Sequence, residues 1–300
     1  MTKILVIRHG ALGDVVLSFP AFAAIRAAHP EARIAVQTTR PFAGLLAASP
    51  WFDAVLVDPR PAWWNFTGLA EVRRQLRGHD FVYDLQTSGR STRYFRLAGR
   101  PPWSGIAQGC SHPHDNPLRT VMHTLERQRE QLETAGISHF PPPDLSWLGP
   151  SAHALPAPYA LLVPGAAPHR PEKRWPAEKF GQLARILLAR GLVPVVIGTA
   201  AETPLAAIIR AACPQAVDLT GQTEIAEIHA LARAAALCIG NDTGPMHLAA
   251  ASGSPCIVLF SAASDPALTA PRGPGGSWPR LIRVADLAGL EVGRVAEALP

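Results

Sequence analysis

The chain has 300 residues, 48% of them hydrophobic and 17% charged, and a net charge of +5. That length accommodates two ordinary domains or one large one, and the composition is that of a globular rather than a disordered protein. No apolar run reaches the ~18 residues of a membrane helix, and the N-terminal apolar strand is shorter than the about 7–15-residue core of a secretory signal, so a cytoplasmic protein is expected.

The first stretch, "VIRHGALGDVVLSFPAFAAIRAAHP" from Val6 to Pro30, predicts a strand near 4–8, a glycine turn, and a helix over 14–28. Gly10 and Gly13 would let the chain turn sharply. Their spacing, Gly10-x-x-Gly13-Asp14, is not the G-x-G-x-x-G of a dinucleotide site, and no acidic residue follows the next strand at the required distance. A P-loop motif is also absent. Asp14 has two compatible readings. It is a favoured cap for a helix N-terminus, or it is a carboxylate projecting into a cleft as a general base.

Strands near 33–37, 54–57 and 80–84 alternate with helices near 41–48, 66–77, 88–98 and 117–135. Residues 60–130 hold eleven arginines, no lysine and six acidic residues, so this stretch carries the whole charge excess. Arg90, Arg93, Arg96 and Arg100 fall near helical spacing, either as a solvated face or as a surface for something anionic. No zinc-finger spacing or aromatic RNA-binding signature points to nucleic acid. The four cysteines (Cys110, Cys213, Cys238, Cys256) form no C-x-x-C pair and read as reduced, buried thiols.

The proline-rich "FPPPDLSWLGPSAHALPAP" at 140–158 reads as a linker. Beyond it the alternation restarts, with strands near 159–163, 193–197, 236–239 and 255–260. Helices are expected near 176–190, 202–212, 224–234 and 245–252, and a last one near 289–299. Alternating strands and helices imply right-handed βαβ units and parallel sheets. The expected fold is α/β, with two Rossmann-like domains facing across a cleft. Residues 1–145 form the N-terminal domain, 146–158 the linker and 159–300 the C-terminal domain, whose last helix packs back on the first.

Three loops of the second half follow strands, where open parallel sheets bind ligands. In "CIGNDTGPMHLAAASGSPCIVLF", 238–260, the strand ends at Gly240 and Pro245 suits a first helical turn. The free backbone N–H groups of Thr243, Gly244 and the residues after them form an anion site. Asp242 would repel a bare phosphate and fits a ligand that also carries hydroxyls. His247 either binds phosphate or caps its own turn. In "PGAAPHRPEKRWPAEKF", 164–180, Lys173 is one of only three lysines among 28 basic residues; a compact ammonium suits a diphosphate, and an exposed surface lysine is the plain alternative. In "VIGTAAETP", 196–204, Glu202 either accepts ribose hydroxyls or stabilises a helix N-terminus.

Together, "IRHGALGDVVLSFPAFAAIRAAHP", "EKRWPAEKF" and "NDTGPMHLAAASGSPCIVLFSAASDP" resemble glycosyltransferase family 9, the ADP-heptose:lipopolysaccharide heptosyltransferases. The resemblance implies a GT-B fold and an inverting, metal-independent transfer. The donor would be ADP-L-glycero-β-D-manno-heptose and the acceptor an inner-core sugar of lipopolysaccharide. It implies Asp14 as general base after the Gly10/Gly13 loop, Lys173 on the diphosphate and Glu202 on the ribose. Asp242, Thr243, Gly244, Met246 and His247 would form the donor loop. No cofactor is implied beyond the nucleotide-sugar donor. The partner would be an anionic core acceptor at the inner face of the inner membrane, suiting a cytoplasmic, peripherally bound enzyme.

The chain departs from the family pattern before Lys173. In "GAAPHRPE" Ala166 and Ala167 stand where hydroxyl side chains are common, so backbone groups or His169 and Arg170 must serve instead. "CSHPHD", 110–115, offers Cys110, His112, His114 and Asp115, but Pro113 between the histidines and the lack of a second cluster make a metal site poor. It reads instead as an acceptor-side loop, with Arg90, Arg93, His112, His114 and Arg119 as candidates. Three other readings stay open: a GT-B transferase with another nucleotide sugar or glycan, a nicotinamide-dependent oxidoreductase, and a non-catalytic nucleotide- or glycan-binding module.

Overall fold

Apolar runs bounded by glycine and proline become buried parallel strands, and amphipathic segments between them become crossover helices. The computed structural model describes residues 1–300 and divides into two units, Met1–Trp147 and Leu148–Pro300. In the first unit β1 (Lys3–Ile7), α1 (Leu12–Val16), α2 (Phe19–Ala28), β2 (Arg33–Thr38), α3 (Arg40–Ala47), β3 (Ala54–Val57) and α4 (Phe66–Leu76) follow in order. They lead to β4 (Phe81–Asp84), α5 (Gly89–Leu97), β5 (Trp103–Gly105), β6 (His112–Pro113) and α6 (Thr124–Thr134). The sheet runs β3-β2-β1-β4-β5-β6, and every pairing is parallel.

The second unit repeats the plan: β7 (Tyr159–Val163), α7 (Ala177–Ala189), β8 (Val193–Val196), α8 (Thr203–Ala212), β9 (Val217–Asp218) and α9 (Ile225–Ala234). Then come β10 (Leu237–Asn241), α10 (Gly244–Ala251), β11 (Cys256–Phe260), α11 (Pro266–Thr269), β12 (Arg280–Arg283) and α12 (Val292–Ala296). Its order, β12-β11-β10-β7-β8-β9, is again wholly parallel. Numbered within each unit, both sheets have the doubly wound order of a dinucleotide-type domain, which reverses between the first and fourth strands. One core packs Leu5, Ile7, Val82, Tyr94, Phe95 and Trp103. The other packs Leu162, Trp175, Phe180, Ile239, Ile257 and Leu259.

Several expectations are corrected. The helix over 14–28 is two helices, because in a continuous one the Pro20 ring would clash with the carbonyl four residues back; Pro20 sits instead in the first turn of α2. The helix over 117–135 begins only at Thr124, with the His123 side chain accepting from the Leu125 N–H, after a short 3-10 turn at Arg119–Val121. Arg100 lies beyond the end of α5, with φ +59, so it does not share a helix face with Arg90, Arg93 and Arg96. The last helix is Val292–Ala296. Leu290, Val292, Val295, Ala298 and Leu299 belong to the core of the second unit.

Candidate active site

In the first unit the loops after β1 and β4 leave the sheet at the point of strand-order reversal, where open α/β sheets receive ligands. One arginine joins them. Buried Arg8 donates from Nε and Nη2 to the Asp14 carbonyl at 3.1 and 2.8 Å and from Nη1 to the Leu85 carbonyl at 2.9 Å. Its Nη2 also lies 3.0 Å from Asp14 Oδ1, and the Asp14 side chain remains 41% exposed. Burial lowers the Arg8 pKa, and the Asp14 charge opposes that shift. A buried charge of this kind is tolerated because it is paired and hydrogen-bonded. Asp14 Oδ2 accepts the Ala11 N–H at 3.1 Å and the Ser18 hydroxyl donates to the Asp14 carbonyl at 2.8 Å. The carboxylate is therefore held by the backbone and by Arg8 while one side faces solvent.

Two details differ from expectation. Asp14 is the third residue of α1 rather than its cap, a position held by Ala11. Gly10 alone takes the left-handed backbone, with φ +115, and a Cβ there would fall 2.1 Å from Phe42 Cε2. Gly13 lies inside α1.

Around this loop the structure gathers further charge. Half-buried Arg127 of α6 has its pKa lowered by burial, with the Asp14 charge acting against the shift. Arg119 donates from Nε to His114 Nδ1 at 3.0 Å and from Nη2 to Thr87 Oγ1 at 2.7 Å. Thr87 has φ +43, a strained conformation for a β-branched residue at the switch point. Buried Asp84, the last residue of β4, is pushed up to about 6 by burial, against hydrogen bonds from the Thr87 and Gln86 backbone.

Of the acceptor-side candidates, the structure brings together His114 and Arg119. Arg90 and Arg93 instead stack on Trp63, 5.1 and 4.9 Å from its ring centre. His112 packs on Phe81 and pairs with Ser111. Cys110 Sγ donates to the Gly105 carbonyl, and no group of three or more His, Cys, Asp or Glu side chains could hold a metal ion.

In the second unit the switch point lies between β7 and β10, and the loops after both carry candidates. Lys173 Nζ is 2.6 Å from Asp242 Oδ2, which also accepts the Ser264 hydroxyl at 2.7 Å; His247 Nε2 lies 3.8 Å from Asp242 Oδ1. Burial alone would raise the Asp242 pKa, but hydrogen bonds from His247 and Lys173 and the Lys173 charge hold it at about 2. His247 Nδ1 is buried without a partner. Thr243 caps α10 without a side-chain hydrogen bond, and Pro245 occupies its first turn, so N–H groups at Thr243 and Gly244 head the helix. Asn241 fixes the loop entry: its Oδ1 accepts the Trp175 N–H at 3.0 Å and its Nδ2 donates to the Pro164 carbonyl at 2.8 Å.

Glu202 stands after β8. Its Oε2 accepts the Thr199 N–H and hydroxyl, each at 2.6 Å, and its side chain lies so close to Gly165 and Gly198 that a Cβ at either would fall about 3 Å from it. Met246 is corrected. It is fully buried, with Sδ 2.8 Å from where a Cβ on Gly240 would sit, so it packs beneath the loop instead of lining it. Sequence reasoning passed over Arg8, Arg127, Asn241 and Ser264. Arg8 had a signal, a charged residue closing an apolar strand that must find partners when buried.

The glycosyltransferase family 9 (heptosyltransferase) model matches residues 69–277. Lipooligosaccharide heptosyltransferase 2 of Haemophilus ducreyi is 25% identical over 302 residues, spanning 90% of this chain and 86% of that protein. The Haemophilus influenzae lipooligosaccharide heptosyltransferase 2 is 35% identical over 126 residues, a stretch covering 40% of this chain and 36% of that protein. Among solved structures, an Escherichia coli heptosyltransferase with ADP superposes over 99% of this chain and 98% of its own, with TM-score 0.79 and 21% identity. That likeness, with the two doubly wound parallel sheets, establishes the GT-B type of fold. The chain belongs to glycosyltransferase family 9, the heptosyltransferase family, and is a glycosyltransferase.

Proposed function

We propose that the enzyme transfers a heptose from ADP-L-glycero-β-D-manno-heptose to an inner-core sugar of lipopolysaccharide, with inversion, and works peripherally at the inner face of the inner membrane. The observation that carries the donor assignment is the Lys173–Asp242–His247 cluster at the head of α10. It supports a diphosphate site in which the Lys173 ammonium is shared between Asp242 and phosphate oxygens, and the α10 N–H groups take the remainder. Glu202, at the N-terminus of α8 in the loop that follows the second strand of its unit, is the carboxylate assigned here to the ribose hydroxyls. Relatives named as lipooligosaccharide and lipopolysaccharide heptosyltransferases support the sugar and the acceptor.

In this reading Asp14 takes the proton from an acceptor hydroxyl as its oxygen attacks the anomeric carbon. The bond from that carbon to the diphosphate oxygen breaks, and its electron pair leaves with ADP. Arg8 fixes the orientation of the carboxylate. The negative charge that grows on ADP is met by Lys173 and the α10 N–H groups, already in place before reaction, and this is electrostatic stabilisation of the oxyanion-hole kind. Calorimetric titration with ADP in EDTA, against UDP, GDP and NAD, tests the donor site. Selective ADP binding is expected; preference for UDP or GDP would discard the heptose donor.

A further inference from the structure

Of the eight large hydrophobic side chains the molecule exposes, five lie in the segments that follow β3, β5 and β6: Trp64 and Phe66 (80% exposed each), Ile106 (37%), Leu118 (63%) and Val121 (66%). All strands of that sheet are parallel, so these segments leave it at the same end as the Asp14 loop. β3 and β6 are its two edges and β1 is central, so the apolar side chains flank Asp14 on both sides of the sheet. Scattered single hydrophobics need no explanation, but a set gathered at one end of one unit does.

The charge at this end is complementary to an anionic surface. Arg40, Arg60, Arg90, Arg93 and Arg119 stand in the loops and early helical turns at that end; of the acids there Asp58 and Asp84 are buried, and the arginines outnumber the accessible Asp14, Asp115 and Glu126. The 60–66 segment is also built to present its aromatics. Trp63 is clamped under Arg90 and Arg93, at 5.1 and 4.9 Å, and lies edge-on to Tyr94. Asn65 caps α4 by accepting the Gly68 N–H at 2.9 Å. The neighbours on either side of Asn65, Trp64 and Phe66, are left pointing into water. Aromatic side chains beside arginines are the usual anchors of interfacial proteins, because the rings sit at the headgroup level and each cation adds attraction to anionic lipid.

We propose that this end of the N-terminal unit docks on an anionic bilayer, with Trp64 and Phe66 inserted at the headgroup level and Leu118 and Val121 as the second contact. The proposal rests on the membrane-bound acceptor of the preceding section only for its partner. The surface itself stands on the exposures and charges above.

The test is flotation of the full chain with vesicles of equal parts phosphatidylcholine and phosphatidylglycerol, and with pure phosphatidylcholine. The expected result is binding to the anionic vesicles that weakens as salt rises, and about tenfold or greater loss of partitioning in Trp64→Ser/Phe66→Ser. Wild-type protein in vesicles with brominated acyl chains is expected to lose fluorescence that Trp64→Phe does not lose, with Trp278→Phe as the control for the other exposed tryptophan. ADP titration of the double variant runs alongside and is expected to match wild type. Equal flotation of variant and wild type, or no binding of wild type to anionic vesicles, overturns the docking surface whatever the ADP result. Loss of ADP binding in both proteins with vesicle binding intact would instead refute the donor assignment.

Discussion

Replacing Asp242 by asparagine isolates the pairing at the head of α10. The carboxylate is buried with Lys173 Nζ at 2.6 Å and the Ser264 hydroxyl at 2.7 Å, and its pKa is held at about 2 against an ordinary 3.8. Because the folded pKa lies below the unfolded one, the ion contributes stability that is fully present above about pH 4 and is lost as pH falls through the folded value near 2. At 1.36 kcal/mol per unit, the depression corresponds to about 2 kcal/mol. Asp242→Asn should therefore cost about 2 kcal/mol in urea unfolding of the C-terminal unit at pH 7, and leave the Lys173 ammonium half-buried without its counterion. The difference from wild type should shrink between pH 4 and 2, as the wild-type carboxylate protonates. An asparagine variant as stable as wild type at pH 7, or a gap unchanged at low pH, would refute the reasoning.

Lys173→Met should weaken ADP binding by about ten- to a hundredfold, since it removes a cation worth about 1.5–3 kcal/mol as a charged hydrogen-bond donor; titration calorimetry reads it, and AMP should be affected less than ADP. Gly10→Ala should cost about 2–3 kcal/mol, because the backbone there has φ +115 and the new Cβ would meet Phe42 at 2.1 Å. Thermal unfolding of Gly10→Ala/Phe42→Ala separates the two causes: removing the ring should leave the backbone penalty in place, so the double variant should not return to wild-type stability.

The elements most visible in the sequence were those whose chemistry is local. Buried strands such as β1, β7 and β11 announce themselves as apolar runs, and the turn "NDTGP" follows from a glycine and a proline that suit only a loop and a first helical turn. β5, β6 and β9, of three, two and two residues, were invisible, because so short a strand shows no alternation and exists only by pairing with a neighbour. Lys173 was singled out by composition, yet its 2.6 Å contact with Asp242 joins residues 69 apart and has no sequence signature. Met246 misled because it lies in a loop-to-helix motif, while its side chain turns into the core against Gly240. Family membership removes the nicotinamide reading, against which the glycine spacing already argued, and the non-catalytic one, against which Asp14, Lys173 and Asp242 together argued.

The central claim is that Asp14 removes the acceptor proton while the second unit alone binds the donor. Turnover of Asp14→Asn with ADP-heptose and a core acceptor, measured beside ADP affinity, tests it most directly. The account predicts a fall in kcat of about 10²–10⁴-fold, the usual contribution of a general base, with ADP binding within about twofold of wild type. Unchanged turnover, or a loss of ADP affinity that accounts for the whole fall in rate, would contradict it.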